Sequence, residues 1–187
     1  MKNICVLFLL ISLFGLSGCQ IREVNQTAVA SGLGLELEGD KVRLSVQLAQ
    51  PQPSQAGGSP SGEVPYVVLS GTGTTATEAS RQISLSNPRI RLLSHTELLL
   101  MGENIAQKDV ALLVDVIARR PDLRENALVM VTRHTTPEEV LKTQVPMELY
   151  SGMALPKLIR MQEKMLGIYV PATLSDFFFR LSTPGIE

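Results

Sequence analysis

The sequence predicts an α+β domain in which helices pack on a mixed or antiparallel sheet, and three observations predict it. Val42, Leu44, Val46 and Leu48 alternate with Lys41, Arg43, Ser45 and Gln47, which is the period of a half-buried strand. Val110, Leu113, Val114 and Ile117 recur at helical spacing. From Val64 onward, apolar runs of strand length alternate with segments that open on threonine caps.

The elements follow in order. Thr27–Leu37 and Lys41–Ala49 read as two strands, and Glu38-Gly39-Asp40 supplies the glycine that a tight reversal needs. Residues 50–65 hold four prolines, three glycines and three serines, too few apolar groups to offset ordering entropy, so a loop is expected. Tyr66–Ser70 is a short strand. Thr75-Ala76-Thr77-Glu78 has capping-box spacing and opens a helix that Asn87-Pro88 stops after Ser86. A strand is expected over Leu92–Met101 and a helix over Ala106–Arg119, ended by Pro121. Ala127–Thr132 is the next strand. Thr136-Pro137-Glu138-Glu139 combines an N-cap, an N1 proline and a capping-box glutamate for a helix to about Thr143. Ser151–Leu166 and Thr173–Leu181 complete the helices, and no internal repeat is visible.

The N-terminus sets the expected compartment. Lys2 precedes an apolar run from Ile4 to Leu16, the charged and apolar regions of a secretion signal. It ends in Leu16-Ser17-Gly18-Cys19, which resembles the bacterial lipobox: an aliphatic residue, two small ones and a cysteine. Cleavage between Gly18 and Cys19 and lipidation of the Cys19 thiol are therefore expected, with residues 19–26 as tether and 27–187 as one domain. The only other cysteine, Cys5, leaves with the signal, so no internal disulfide can form. Two acyl chains, at about 0.8 kcal/mol per buried CH₂, anchor stably where one does not. Loss of Lys2 leaves 16 basic against 18 acidic residues, a balance that gives no reason to expect nucleic acid as a partner.

Several constellations are candidates for chemistry. Gly71-Thr72-Gly73-Thr74-Thr75-Ala76 formally matches a dinucleotide fingerprint, although no acidic ribose ligand follows at the usual spacing and no lysine pairs with phosphate. The blander reading is a turn needing glycine torsions before a threonine cap. His95 and Glu97 would share one side of the Leu92–Met101 strand, as metal ligands, an acid/base pair or a hydrogen-bonded pair. The other histidine, His134, falls in a loop, and no zinc spacing occurs. Arg119, Arg120 and Arg124 could bind anionic headgroups or an acidic partner, or simply complement a helix C-terminus. Four of the seven methionines fall within residues 147–165; core packing is the default there, but methionine-rich surfaces also adapt to partners. No nucleophile–base–acid set can be assembled, so neither an enzyme nor a cofactor is expected.

These pieces, taken as an ordered series, resemble the N-terminal domain of the Ger(x)C family, the lipoprotein C subunit of bacterial spore germinant receptors. The series is Cys19 with Arg22-Glu23-Val24, Gly32-Leu33-Gly34, Ser70-Gly71-Thr72-Gly73-Thr74-Thr75, and His95 with the strand ending Met101-Gly102-Glu103. It closes with Arg119-Arg120-Pro121-Asp122-Leu123-Arg124 before Ala127-Leu128-Val129-Met130-Val131. Gln20-Ile21 stands where the family usually has Trp-Asp. The family's proteins are about twice as long, so the chain looks like their first domain only, from a truncated frame or incomplete gene. The resemblance implies a non-enzymatic scaffold, tethered through Cys19 to the outer face of the spore inner membrane and assembled with two membrane subunits of the receptor. The rival expectation is a lipid-anchored solute-binding protein or envelope enzyme; a structural envelope lipoprotein is a third.

Overall fold

The computed structural model describes residues 26–50, 65–108, 110, 114, 120 and 122–183. The strands are β1 (Thr27–Glu38), β2 (Lys41–Ala49), β3 (Tyr66–Gly73), β4 (Ile90–Leu92), β5 (Leu98–Gly102) and β6 (Leu128–Thr132). The helices are α1 (Ala76–Ser86), α2 (Glu103–Lys108), α3 (Pro137–Lys142), α4 (Ser151–Leu166) and α5 (Leu174–Ser182). The sheet runs β3-β2-β1-β5-β6, with β4 pairing the start of β1. β2 runs antiparallel to both β1 and β3, whereas β5 runs parallel to β1, and β6 to β5. The sheet is therefore mixed and the domain α+β, as the element pattern predicts.

Alternation along the strands sorts the side chains onto two faces. Leu33 and Leu35 sit opposite Val46 and Leu44, and this face carries the larger core with Ala79 and Ile83 of α1 and Ile105 of α2. On the other face Leu98 and Leu100 pack with Leu141 of α3. Helices thus cover both sides. In consequence β2 departs from the half-buried strand expected: Ser45 and Gln47 are as buried as Val46 and Leu48, because α3 and α4 close over their side.

The hairpin forms where expected, with Glu38 paired to Lys41 and Gly39 at φ 65°, a left-handed torsion suited to glycine. α3 carries its full capping box: Glu139 N donates to Thr136 Oγ1, while Thr136 N donates to the Glu139 carboxylate. α4 has the predicted limits and ends at Gly167, again left-handed at φ 63°. Its apolar face is only partly core. Ser151, Gly152, Ala154 and Pro156 are buried against the sheet, but Leu158, Met161, Met165 and Leu166 are exposed as the helix runs on beyond it.

Three expectations need correction. β3 continues three residues past Ser70, because Gly71, Thr72 and Gly73 pair with Leu44, Arg43 and Val42. The single strand over Leu92–Met101 is instead two, β4 and β5, with a turn between them in which Thr96 N donates to Leu93 O (2.9 Å). The break faces an irregularity in β1 between Ala30 and Gly32, and buried Thr96 reaches the Ala30 carbonyl. The short helix Glu103–Lys108 overlaps only the start of the helix expected over 106–119; beyond it Val110 is in a turn and Val114 is helical, and most of the remaining residues lie outside the described set. The same holds for the expected signal segment and for residues 51–64 of the expected loop; on either side of the latter, Gln50 N donates to Pro65 O (2.8 Å).

Candidate functional site

The glycine motif serves packing. Gly71 and Gly73 lie on the face under α1, where a Cβ on Gly71 would run into the Ala79 carbonyl and one on Gly73 would lie 2.7 Å from Ala79 N. The absent side chains let the helix rest on the strand's backbone. Thr75 caps α1 through Glu78 N (3.2 Å). The Glu78 carboxylate in turn accepts from Thr74 N and Thr74 Oγ1, both at 2.7 Å, and these bonds hold it below the usual carboxylate range. The anion position that a nucleotide phosphate would take is filled by the protein's own side chain. Gly32 and Gly34 do the same on the opposite face, where Cβ atoms would meet Leu141 and Pro137.

His95 and Glu97 do not share a strand face, since both fall in the connection between β4 and β5. His95 Nδ1 lies 3.2 Å from Ser94 Oγ, and Glu97 uses its backbone, donating to Ser31 O and accepting from Leu128 N. His134 sits at φ 59° in the loop before α3. Among the described residues no group of three or more His, Cys, Asp or Glu is placed to hold a metal ion.

Of the three arginines, Arg119 lies outside the described residues, as do Gly18 and Cys19. Arg120 and Arg124 separate. Arg124 is exposed on a short turn, where its carbonyl accepts from Ala127 N. Arg120 lines a cavity of about 340 Å³ between α1 and the sheet. Leu33, Leu44, Val46, Leu93 and Leu123 make the walls apolar, and Thr77, Ser80 and Arg91 supply the remaining polar groups. Arg91, on β4, is half-buried. Its Nη2 donates to Ser80 O, Ser80 Oγ and Ser84 Oγ at 2.8–3.0 Å, while its Nη1 is buried with no partner. Burial and the neighbouring Arg120 charge both push the Arg91 pKa down. Sequence reasoning missed Arg91. The available signal was that Arg89 and Arg91 alternate with Ile90 and Leu92, which puts both cations on one side of a strand.

A family model described as the spore germination protein N-terminal domain matches residues 20–187. The chain belongs to the Ger(x)C family. The Ger(x)C relatives include YfkR of Bacillus subtilis, 31% identical over 161 residues, an alignment covering 82% of this chain and 41% of that protein. Spore germination protein KC of the same organism is 26% identical over 94% of the chain and 44% of its own length. Spore germination protein B3, also from Bacillus subtilis, is 28% identical over 65% of the chain and 32% of its own. The chain thus spans less than half the length of these relatives. No solved structure matches this Ger(x)C domain. Among the described residues, no helix is long and apolar enough to cross a membrane.

Proposed function

We propose that this protein is a lipid-anchored subunit of a spore germinant receptor and acts in germination as a non-enzymatic scaffold. The observation that carries the reading is the extent of the family match: it opens at residue 20, directly after Cys19, and runs to residue 187. The lipobox at Leu16–Cys19 supports a tether at that point, since cleavage before Cys19 would put the lipidated residue immediately ahead of the matched domain. Lipid on Cys19 would hold the domain on the outer face of the spore inner membrane, beside two membrane subunits of the receptor.

Two measurements test this. Replacing Cys19 with alanine should move the protein from the membrane fraction of sporulating cells to the soluble fraction; a variant that stays with the membrane removes the tether. A C-terminal tag on the wild-type chain should co-purify two polytopic subunits from those membranes. If the anchored protein comes down alone, the receptor reading fails even though the tether stands.

A further inference from the structure

The cavity under α1 opens beside a second, polar groove of about 540 Å³, and the two share Thr77, Ser80, Arg91 and Arg120. Arg81 and Arg89 line the groove as well, so four guanidinium groups border one continuous depression. No acidic side chain among the described residues lines either part. We propose that this depression binds an amphiphile with an anionic head, its phosphate or carboxylate lying between Arg91 and Arg120 and its apolar chain entering the cavity.

Three observations converge. Arg91 Nη1 is a buried donor with no partner, and such a group costs free energy that an incoming acceptor recovers. Arg120 lies close enough to Arg91 to disfavour the Arg91 charge, a repulsion that an anion between them reverses. The walls beyond them are leucine and valine, and the volume falls in the range of about 300–1,000 Å³ typical of small-ligand sites. A zwitterionic amino acid fits poorly, because its ammonium would face guanidinium groups with no carboxylate to receive it. An uncharged apolar ligand would leave Nη1 unsatisfied. The inference stands whether or not the chain assembles into a receptor.

The test uses the full chain in phosphatidylcholine nanodiscs, titrated with octanoate while thermal unfolding is followed. Octanoate should raise the midpoint saturably, whereas octanol, which lacks the anionic head, and acetate, which lacks the chain, should be far weaker. Arg120→Gln should weaken octanoate binding about tenfold or more, the expected loss for one charge-assisted contact, while Arg120→Lys should retain most of it. Arg91 also ties β4 to α1 through Ser80, so Arg120 and the exposed Arg89 are the safer positions to change. Arg89→Gln should weaken binding less than Arg120→Gln. An unchanged response in Arg120→Gln, or octanol acting as well as octanoate, overturns the proposal. Adding phosphatidylglycerol to the discs separates the sources. If it stabilises the wild type but not Arg120→Gln, and abolishes the octanoate response, the occupant is a bilayer lipid. An octanoate response that survives phosphatidylglycerol assigns the site to a free amphiphile.

Discussion

Gln47 Nε2 on β2 lies 3.0 Å from Ser151 Oγ at the start of α4, and the pair locks that helix to the sheet. Gln47 is fully buried, yet every polar atom of its amide is engaged. Oε1 accepts from Ser31 Oγ (2.7 Å) and Gly152 N (3.0 Å), and Nε2 also donates to Leu141 O (2.6 Å). One side chain therefore joins β1, β2, the end of α3 and the start of α4. Gln47→Leu keeps the volume but leaves the Gly152 N–H buried without a partner. At roughly 1–3 kcal/mol per orphaned group, it should cost about 3 kcal/mol. Ser151→Ala should cost less, about 1 kcal/mol, because Leu141 O keeps its bond from Gln47. Urea unfolding midpoints check the order of the two.

Gly71 and Gly39 are both glycines with a structural task, but for opposite reasons. Gly39 needs its torsion, at φ 65°, and has open space around the Cβ position. Gly39→Ala should therefore cost only about 1 kcal/mol, the strain of a left-handed alanine. Gly71 has ordinary torsions, but an added methyl meets the Ala79 carbonyl and Ile83 Cγ1 at 3.0 Å. Backbone must move, so Gly71→Ala should cost about 2–3 kcal/mol or more and shift α1. Denaturant unfolding gives the ranking, and amide chemical shifts confined to α1 and β3 give the cause.

Those glycines also show where sequence reasoning works and where it stops. The hairpin, the Thr136 cap and the limits of α4 are legible because each depends on residues within a few positions of one another. Gly71-Thr72-Gly73 was ambiguous because a phosphate loop and a helix seat require the same small residues; only the position of α1 separates them. The strand break at Leu93–Thr96 depends on an irregularity in β1, far off in sequence, so an apolar run alone cannot reveal it. Gln47 reads as a solvent-facing residue until α3 and α4 are placed over it. Arg120 was singled out for its neighbours Arg119 and Arg124, yet its structural companion is Arg91, brought to it by folding.

The acid response of the fold should trace to Glu138, at the centre of a charged cluster. Its Oε2 accepts from Arg43 Nε (2.9 Å) and Nη2 (2.7 Å), and its Oε1 accepts from Lys142 Nζ (2.5 Å). Burial alone would raise the Glu138 pKa, but hydrogen bonds from Lys142, Arg43 and Ser70 together outweigh it and bring it to about 2 from an ordinary 4.5. A carboxylate depressed on folding stabilises the native state at pH above its unfolded value and loses that contribution as pH falls through the folded one. Stability should therefore decline between pH 4.5 and about 2, by about 3 kcal/mol from this group at 1.36 kcal/mol per unit. Glu36 shares Arg43 at 3.8 Å, but burial outweighs that attraction and raises its pKa, so its ionisation disfavours the fold as pH rises. The two carboxylates thus predict opposite mutants. Glu138→Gln should destabilise the protein at pH 7 and flatten the acid limb, whereas Glu36→Gln should stabilise it at pH 7. Unfolding free energies at pH 7, 4.5 and 2.5 decide it: an acid limb unchanged in Glu138→Gln would mean that other carboxylates carry the response.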